Sequence, residues 1–134
     1  GWYCIRAILW ANDYQMPQSV TALPGFVVND AGVILACGAT FLWQDGRVAT
    51  FSCSFLSDMS MDLIVNGSKG VLRLHDFVIP YEEDSASYFS TSNVKLTQLD
   101  TGWDSKPSEN LVMTELPQES LMIQEFARLV KSVR

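Results

Sequence analysis

The sequence predicts an α+β domain in which an open, predominantly antiparallel mixed sheet is covered on one face by helices. Three observations carry this expectation: helical periodicity at each end of the chain, period-two alternation through its middle, and turn residues that divide the middle into hairpins. At 134 residues the chain has the size of one domain. Folding at that length buries about two-thirds of the unfolded surface. Hydrophobic residues make up 48% and charged residues 18%, which is enough apolar material for a core. Residues 1–134 are accordingly read as a single domain.

The first helix is expected over Gly1 to Ala11, where Trp2, Ile5, Ile8 and Leu9 mark one face. Asn12-Asp13 and then Pro17 end it. The last helix opens with Pro117 at its first position and Gln118 and Glu119 in its first turn. Met122, Phe126, Leu129, Val130 and Val133 share one of its faces. No capping side chain precedes Trp2, and neither Gly nor Asn closes the last helix before Arg134. Two uncapped helices lead to the expectation that the chain is part of a longer protein.

The strongest hairpin signal is Ala39 to Gln44, the pair Asp45-Gly46, and Arg47 to Phe55. Asp-Gly supplies the positive φ angles that a two-residue turn requires. On the second strand Ala49, Phe51, Cys53 and Phe55 alternate with Val48, Thr50, Ser52 and Ser54. A second hairpin runs from Met61 to Val65, turns through Asn66 to Gly70, and returns over Val71 to Val78. Shorter strands are expected at Ser19 to Leu23, Ser87 to Thr91, Val94 to Leu99 and Leu111 to Thr114, with loops at Pro80 to Ser85 and Asp100 to Asn110. A sheet covered on one face leaves the other in need of a partner.

Composition excludes several function classes. Fifteen acidic against nine basic residues give a net charge of −6, with no basic cluster to neutralise phosphates or an anionic membrane surface. No nucleic acid and no membrane partner is expected, and no apolar run approaches the length of a transmembrane helix. With no targeting segment in the chain, the cytoplasm is the default location, although a segment ahead of Gly1 would hide such a signal. Cys4, Cys37 and Cys53 lack Cys-x-x-Cys spacing and share the chain with a single His, so no metal site is expected and the thiols read as small buried hydrophobes. Asn66-Gly67-Ser68 matches a glycosylation sequon but lies in turn chemistry, and the match is taken as chance.

No complete catalytic constellation emerges. Gly67-Ser68-Lys69-Gly70 lacks the spacing of a phosphate loop and sits between strands. His75, placed mid-strand beside Asp76, faces away from it and reads as a surface or interface residue. Tyr3 is the more informative side chain. It lies in a helical first turn with Arg6 three residues on, where its hydroxyl would face a cleft. A phenol needs a neighbouring cation, typically Lys, to exchange protons near neutrality, and no such Lys is near in the sequence. Packing at a domain edge is the alternative reading of Tyr3.

Gly1-Trp2-Tyr3-Cys4-Ile5-Arg6 resembles the tail of the Asp-x-Gly-x-Tyr/His motif of the Gfo/Idh/MocA oxidoreductases. Ala49 to Phe55 is similar to that family's central hairpin, Val65 to Leu72 to its x-G-x-x-G-x-L hairpin, and Phe126 to Val130 to its returning helix. The resemblance spans essentially the whole chain and is strongest for the dihydrodiol dehydrogenase and D-xylose dehydrogenase-like branch, particularly its plant members. It implies a fold like the C-terminal domain of glyceraldehyde-3-phosphate dehydrogenase and a role as the C-terminal domain of an NAD(P)-dependent enzyme. That enzyme would transfer a hydride between nicotinamide and a sugar or diol. The resemblance further implies Tyr3 as the catalytic proton donor or acceptor, Arg6 as a substrate contact, and a homodimer through the open sheet face. The motif's Asp, the catalytic Lys of a Glu-Lys-Pro segment, and the Rossmann domain that mainly holds NAD or NADP would all lie outside this chain. A non-catalytic dimerisation or binding module is the alternative.

Overall fold

The computed structural model describes residues 1–94 and 106–133. These residues form two helices and eight strands. They divide into two compact units, Gly1–Met59 and Ser60–Arg134. Among the described residues, the strands pair antiparallel into two four-stranded sheets, one in each unit. The α+β class is therefore present. All but the first residue of the strand expected at Val94 to Leu99, and most of the loop expected at Asp100 to Asn110, lie outside the described residues.

In the first unit, α1 (Trp2–Ala11) is followed by β1 (Ser19–Ala22), β2 (Val27–Val28), β3 (Ile34–Leu42) and β4 (Val48–Ser54). α1 has no side-chain cap, no acid in its first turn and no base in its last. A helix of ten residues draws most of its stability from packing. Its exit is well satisfied: Tyr14 N–H donates to the Leu9 carbonyl and Asp13 N–H to that of Trp10, the two bonds of a Schellman closure. Asp13 and Tyr14 accordingly take the left-handed conformation, at φ 53° and 54°.

β3 is the centre of its sheet. β4 lies along one edge, while β1 and then β2 share the other, opposite Ala39–Leu42 and Ile34–Ala36 respectively. Odd-numbered residues of β3 and β4 face α1. Ile8, Phe41 and Trp43 are the buried hydrophobic side chains among the described residues, with Ile5, Ala39, Ala49 and Phe51 packed around them. Phe41 stacks on Trp43 with ring centroids 6.2 Å apart and meets Phe51 at 6.1 Å. Burial of each large side chain contributes about 1.5–3 kcal/mol.

The β3–β4 turn corrects the expectation of a two-residue loop. Trp43 and Arg47 pair through Trp43 N–H to Arg47 O, and Gly46 N–H returns to Trp43 O. Only Gly46 within this turn has positive φ, at 87°. The loop is therefore Gln44-Asp45-Gly46, a type I turn closed by a left-handed glycine. Asp45 is released from a left-handed backbone and accepts from Arg47 N–H instead.

In the second unit, β5 (Leu63–Gly67), β6 (Gly70–Leu74), β7 (Ser85–Ser92) and β8 (Ser108–Met113) form a meander, followed by α2 (Gln118–Ser132). The β5–β6 loop is shorter than read from the sequence, because Gly67 pairs with Gly70 and leaves Ser68-Lys69 as the turn. β6 ends at Leu74, short of the expected Val78. β8 begins at Ser108, within the stretch read as loop. Pro117 is the N-cap of α2 rather than its first helical residue. Glu119 and Lys131 lie at the ends that suit their charges. No residue of α2 is buried; Met122, Phe126 and Val133 are exposed.

Gly70 is a close-approach glycine. A Cβ there would overlap the Thr91 carbonyl oxygen on β7, whereas a Cβ at Gly67 would meet nothing nearer than 3.5 Å. Gly70→Ala is expected to cost about 1–3 kcal/mol by forcing β6 and β7 apart, and Gly67→Ala much less. Urea denaturation of the two variants beside the parent chain measures the difference.

Candidate functional site

Tyr3 lies in the first turn of α1 and is 61% exposed. Arg6 occupies the next turn, but its guanidinium lies over the Tyr14 ring, 5.2 Å from the centroid. The left-handed Tyr14 backbone at the helix exit is what brings that ring back beside α1. Arg6 is thereby engaged in a cation–π contact, an interaction of roughly 0.5–1 kcal/mol when exposed. Tyr3 presents its phenol on an exposed helix end.

At the opposite end of α1 lies a cavity of about 700 Å³, lined by Gln15, Met16, Gln18, Trp43, Gln44, Asp45 and Arg47. Arg47 organises its wall. Its Nε donates to Asp45 Oδ2 at 2.8 Å, Nη1 to Asn12 Oδ1 at 2.8 Å and Nη2 to Gln15 Oε1 at 2.6 Å. The same guanidinium lies 5.7 Å from the Trp43 ring centroid. Trp43 Nε1 donates to the Gln15 carbonyl at 2.9 Å. The arginine is a staple between the helix exit and the β3–β4 turn, with each of its three side-chain nitrogens engaged. The Arg47 guanidinium also holds the Asp45 carboxyl below the usual carboxylate range. Neither Tyr3 nor Arg6 lines this cavity.

In the second unit, His75 lies just past the end of β6 and takes Asp62, not its neighbour Asp76, as its carboxylate partner. The Nδ1···Oδ1 distance is 2.8 Å. A carboxylate only accepts, so Nδ1 carries a proton. Asp62 also accepts from Ser60 Oγ at 2.8 Å and from Arg73 Nη2 at 3.4 Å. Hydrogen bonds from Ser60, then His75, hold the Asp62 carboxyl below its ordinary range. The His75 ring meets Phe89 edge-on at 5.6 Å. Ser60 is bound to the carboxylate rather than to the imidazole, so no serine nucleophile is assembled here. Asp76 is buried and accepts from Tyr81 N–H, which shapes the loop after β6.

The three cysteines are half-buried rather than fully buried, and all are free thiols. Cys37 and Cys53 are directly opposite across β3 and β4, with sulfurs 3.5 Å apart. Sequence reading missed both this pair and the Asp62–His75 pair for the same reason. Each follows from a hairpin register, and each register depends on a turn length taken differently in the sequence. Among the described residues, no group of three or more His, Cys, Asp or Glu side chains is placed to hold a metal ion. No helix among them is long and apolar enough to cross a membrane. No family model matches the sequence.

The Asp62 cluster has a defined pH signature. Because the folded carboxyl titrates below its ordinary value near 3.8, the stabilisation is complete above that value and is lost as pH falls through the lower folded one. Asp62→Asn is expected to remove this part of the acid limb, flattening the dependence of unfolding stability on pH below about 4. Chemical denaturation at a series of acidic pH values reads the change in slope.

Proposed function

We propose that this chain is the substrate-side, C-terminal domain of an NAD(P)-dependent oxidoreductase of the Gfo/Idh/MocA type. The full enzyme would transfer a hydride between nicotinamide and a sugar or diol. The observation that carries the reading is the ordered set of motifs, from Gly1-Trp2-Tyr3 through the hairpins to Phe126–Val130. Support comes from the element order: a helix opened by Tyr3, two hairpins at the expected places, and a closing helix. In this reading the fold is that of the glyceraldehyde-3-phosphate dehydrogenase C-terminal domain, and the location is cytoplasmic.

In this reading NAD or NADP is held mainly by a Rossmann domain outside this chain. What the chain itself contributes is Tyr3, whose exposed phenol would deliver or accept a proton at the substrate oxygen. The lysine that makes this feasible near neutrality would come from the other domain. Arg6 would be a substrate contact only by leaving the Tyr14 ring.

Full-length protein with the Tyr3→Phe substitution, assayed for NADPH-dependent turnover on a panel of sugars and diols, tests the assignment. Loss of about 10²-fold or more in kcat is expected if the phenol moves the proton. Unchanged turnover removes Tyr3 from the mechanism.

The second reading, a non-catalytic dimerisation module, is favoured by a different observation. α2 carries an apolar face with no buried residue, and Ile64, Leu111 and Met113 are exposed on the β5–β8 sheet. Exposed apolar surface of this kind marks association sites. A homodimer is expected in sedimentation equilibrium, with self-association rising with concentration. A strictly monomeric, folded chain sinks the dimer in both readings.

A further inference from the structure

Cys37 and Cys53 are drawn together by the β3–β4 register alone. Phe55 N–H donates to Leu35 O at one end of the hairpin and Trp43 N–H to Arg47 O at the other, so odd-numbered partners occupy hydrogen-bonded pairs. In such a pair Cα atoms stand about 5.5 Å apart. That separation lies within the range a disulfide spans. The side chains are already turned toward each other: the sulfurs are 3.5 Å apart, and Cys53 Sγ is 3.6 Å from the Cys37 carbonyl oxygen. Both thiols are partly accessible. They lie on the face of the hairpin that carries the Phe41–Trp43–Phe51 core, at its far end from the turn. A Cβ built on Gly1 would be 3.7 Å from one sulfur and 3.8 Å from the other, which sets the pair against the start of α1.

We propose that Cys37 and Cys53 form a reversible thiol–disulfide site whose co-substrate is a small-molecule disulfide of the glutathione type. In the first step, the thiolate of one cysteine attacks a sulfur of the small disulfide. Its S–S bond breaks, a mixed disulfide forms on the protein, and one small thiolate leaves and takes up a proton. In the second step, the other cysteine gives up its proton and attacks the protein sulfur of the mixed disulfide, expelling the second small thiol. The protein dithiol loses two electrons and two protons; the small disulfide gains both and becomes two thiols.

Cys37 is pushed above the ordinary thiol range, chiefly by its hydrogen bond with Cys53 and then by burial. Either cysteine can open the exchange, and the other then resolves the mixed disulfide. Burial pushes Cys4 up, away from the thiolate that attacks a disulfide. The disulfide would fasten β3 to β4 beneath the first turn of α1.

The test equilibrates the full chain in graded mixtures of reduced and oxidised glutathione, blocks free thiols with an alkylating agent, and maps the peptides by mass spectrometry. The expected product is a Cys37–Cys53 link with Cys4 alkylated, fully reversed by dithiothreitol. Cys37→Ser is expected to abolish the link and accumulate a glutathione adduct on Cys53. Cys53→Ser is expected to abolish the link likewise and leave the adduct on Cys37. Circular dichroism of each variant establishes that it is folded, and should either fail to fold, the parent chain's peptide map decides alone. The proposal is overturned if Cys37 and Cys53 remain alkylatable or stop at mixed disulfides across all ratios. It is equally overturned if the link that forms involves Cys4.

Discussion

The register of β3 against β4 is the constraint on which the first unit depends. A side-chain period of two means that a shift by one residue would send every core position of a strand to the opposite face. With Gln44-Asp45-Gly46 as the loop, Phe41 pairs with Ala49 and Ala39 with Phe51. That pairing places Phe41, Trp43 and Phe51 on the face that meets Ile5 and Ile8 of α1. The loop is held by three features that agree: the left-handed Gly46, the Asp45 carboxylate on Arg47 N–H, and the Arg47 guanidinium reaching Asn12 and Gln15. Arg47 thus reports the turn geometry to the end of the helix. Trp43 reinforces it by donating to the Gln15 carbonyl while its ring lies beneath the arginine.

Element identity was largely legible in the sequence, because periodicity and turn residues are local signals. α1, β1, β4 and α2 lie close to where alternation and capping place them. Register was not legible, and the misses share that cause. An Asp-Gly pair fits both a two-residue turn and the last two positions of a three-residue one. The choice depends on Asp45, whose side chain is better used as an acceptor than its backbone is in a left-handed conformation. Under a two-residue turn Cys37 would face Ser54 and the thiol pair would vanish. Under the observed loop the two cysteines are equidistant from Asp45 and meet. His75 follows the same logic. A strand drawn through to Val78 turns it away from Asp76 and offers it no carboxylate, whereas the Ser68-Lys69 turn extends the Leu63–Leu74 pairing to bring Asp62 alongside.

The two units differ in how their apolar residues are spent. The first gathers Phe41, Trp43 and Phe51 into a stripe beneath α1, and the buried hydrophobic side chains among the described residues belong to it. In the second, β5 and β6 alternate half-buried Leu63, Val65, Leu72 and Leu74 with more exposed Ile64 and Val71, and α2 is amphipathic without a buried residue. An amphipathic helix of fifteen residues draws little stability from propensity alone. The exposed Glu125–Arg128 pair adds little, since salt and side-chain entropy discount such contacts. The apolar face of α2 is the surface whose burial against a partner would stabilise it most.

Tyr3 and the thiol pair stand on the same short stretch of structure, and this links the two chemistries. The start of α1 approaches the sheet over Cys37 and Cys53, so the thiol pair forms part of what the first turn rests upon. Two free thiols 3.5 Å apart form a compliant support, because sulfur is polarizable and its hydrogen bonds are weak. A covalent bond between the same atoms fixes one separation and one pair of side-chain torsions. The geometry beneath Tyr3 would then follow from the oxidation state of the hairpin rather than from side-chain packing alone.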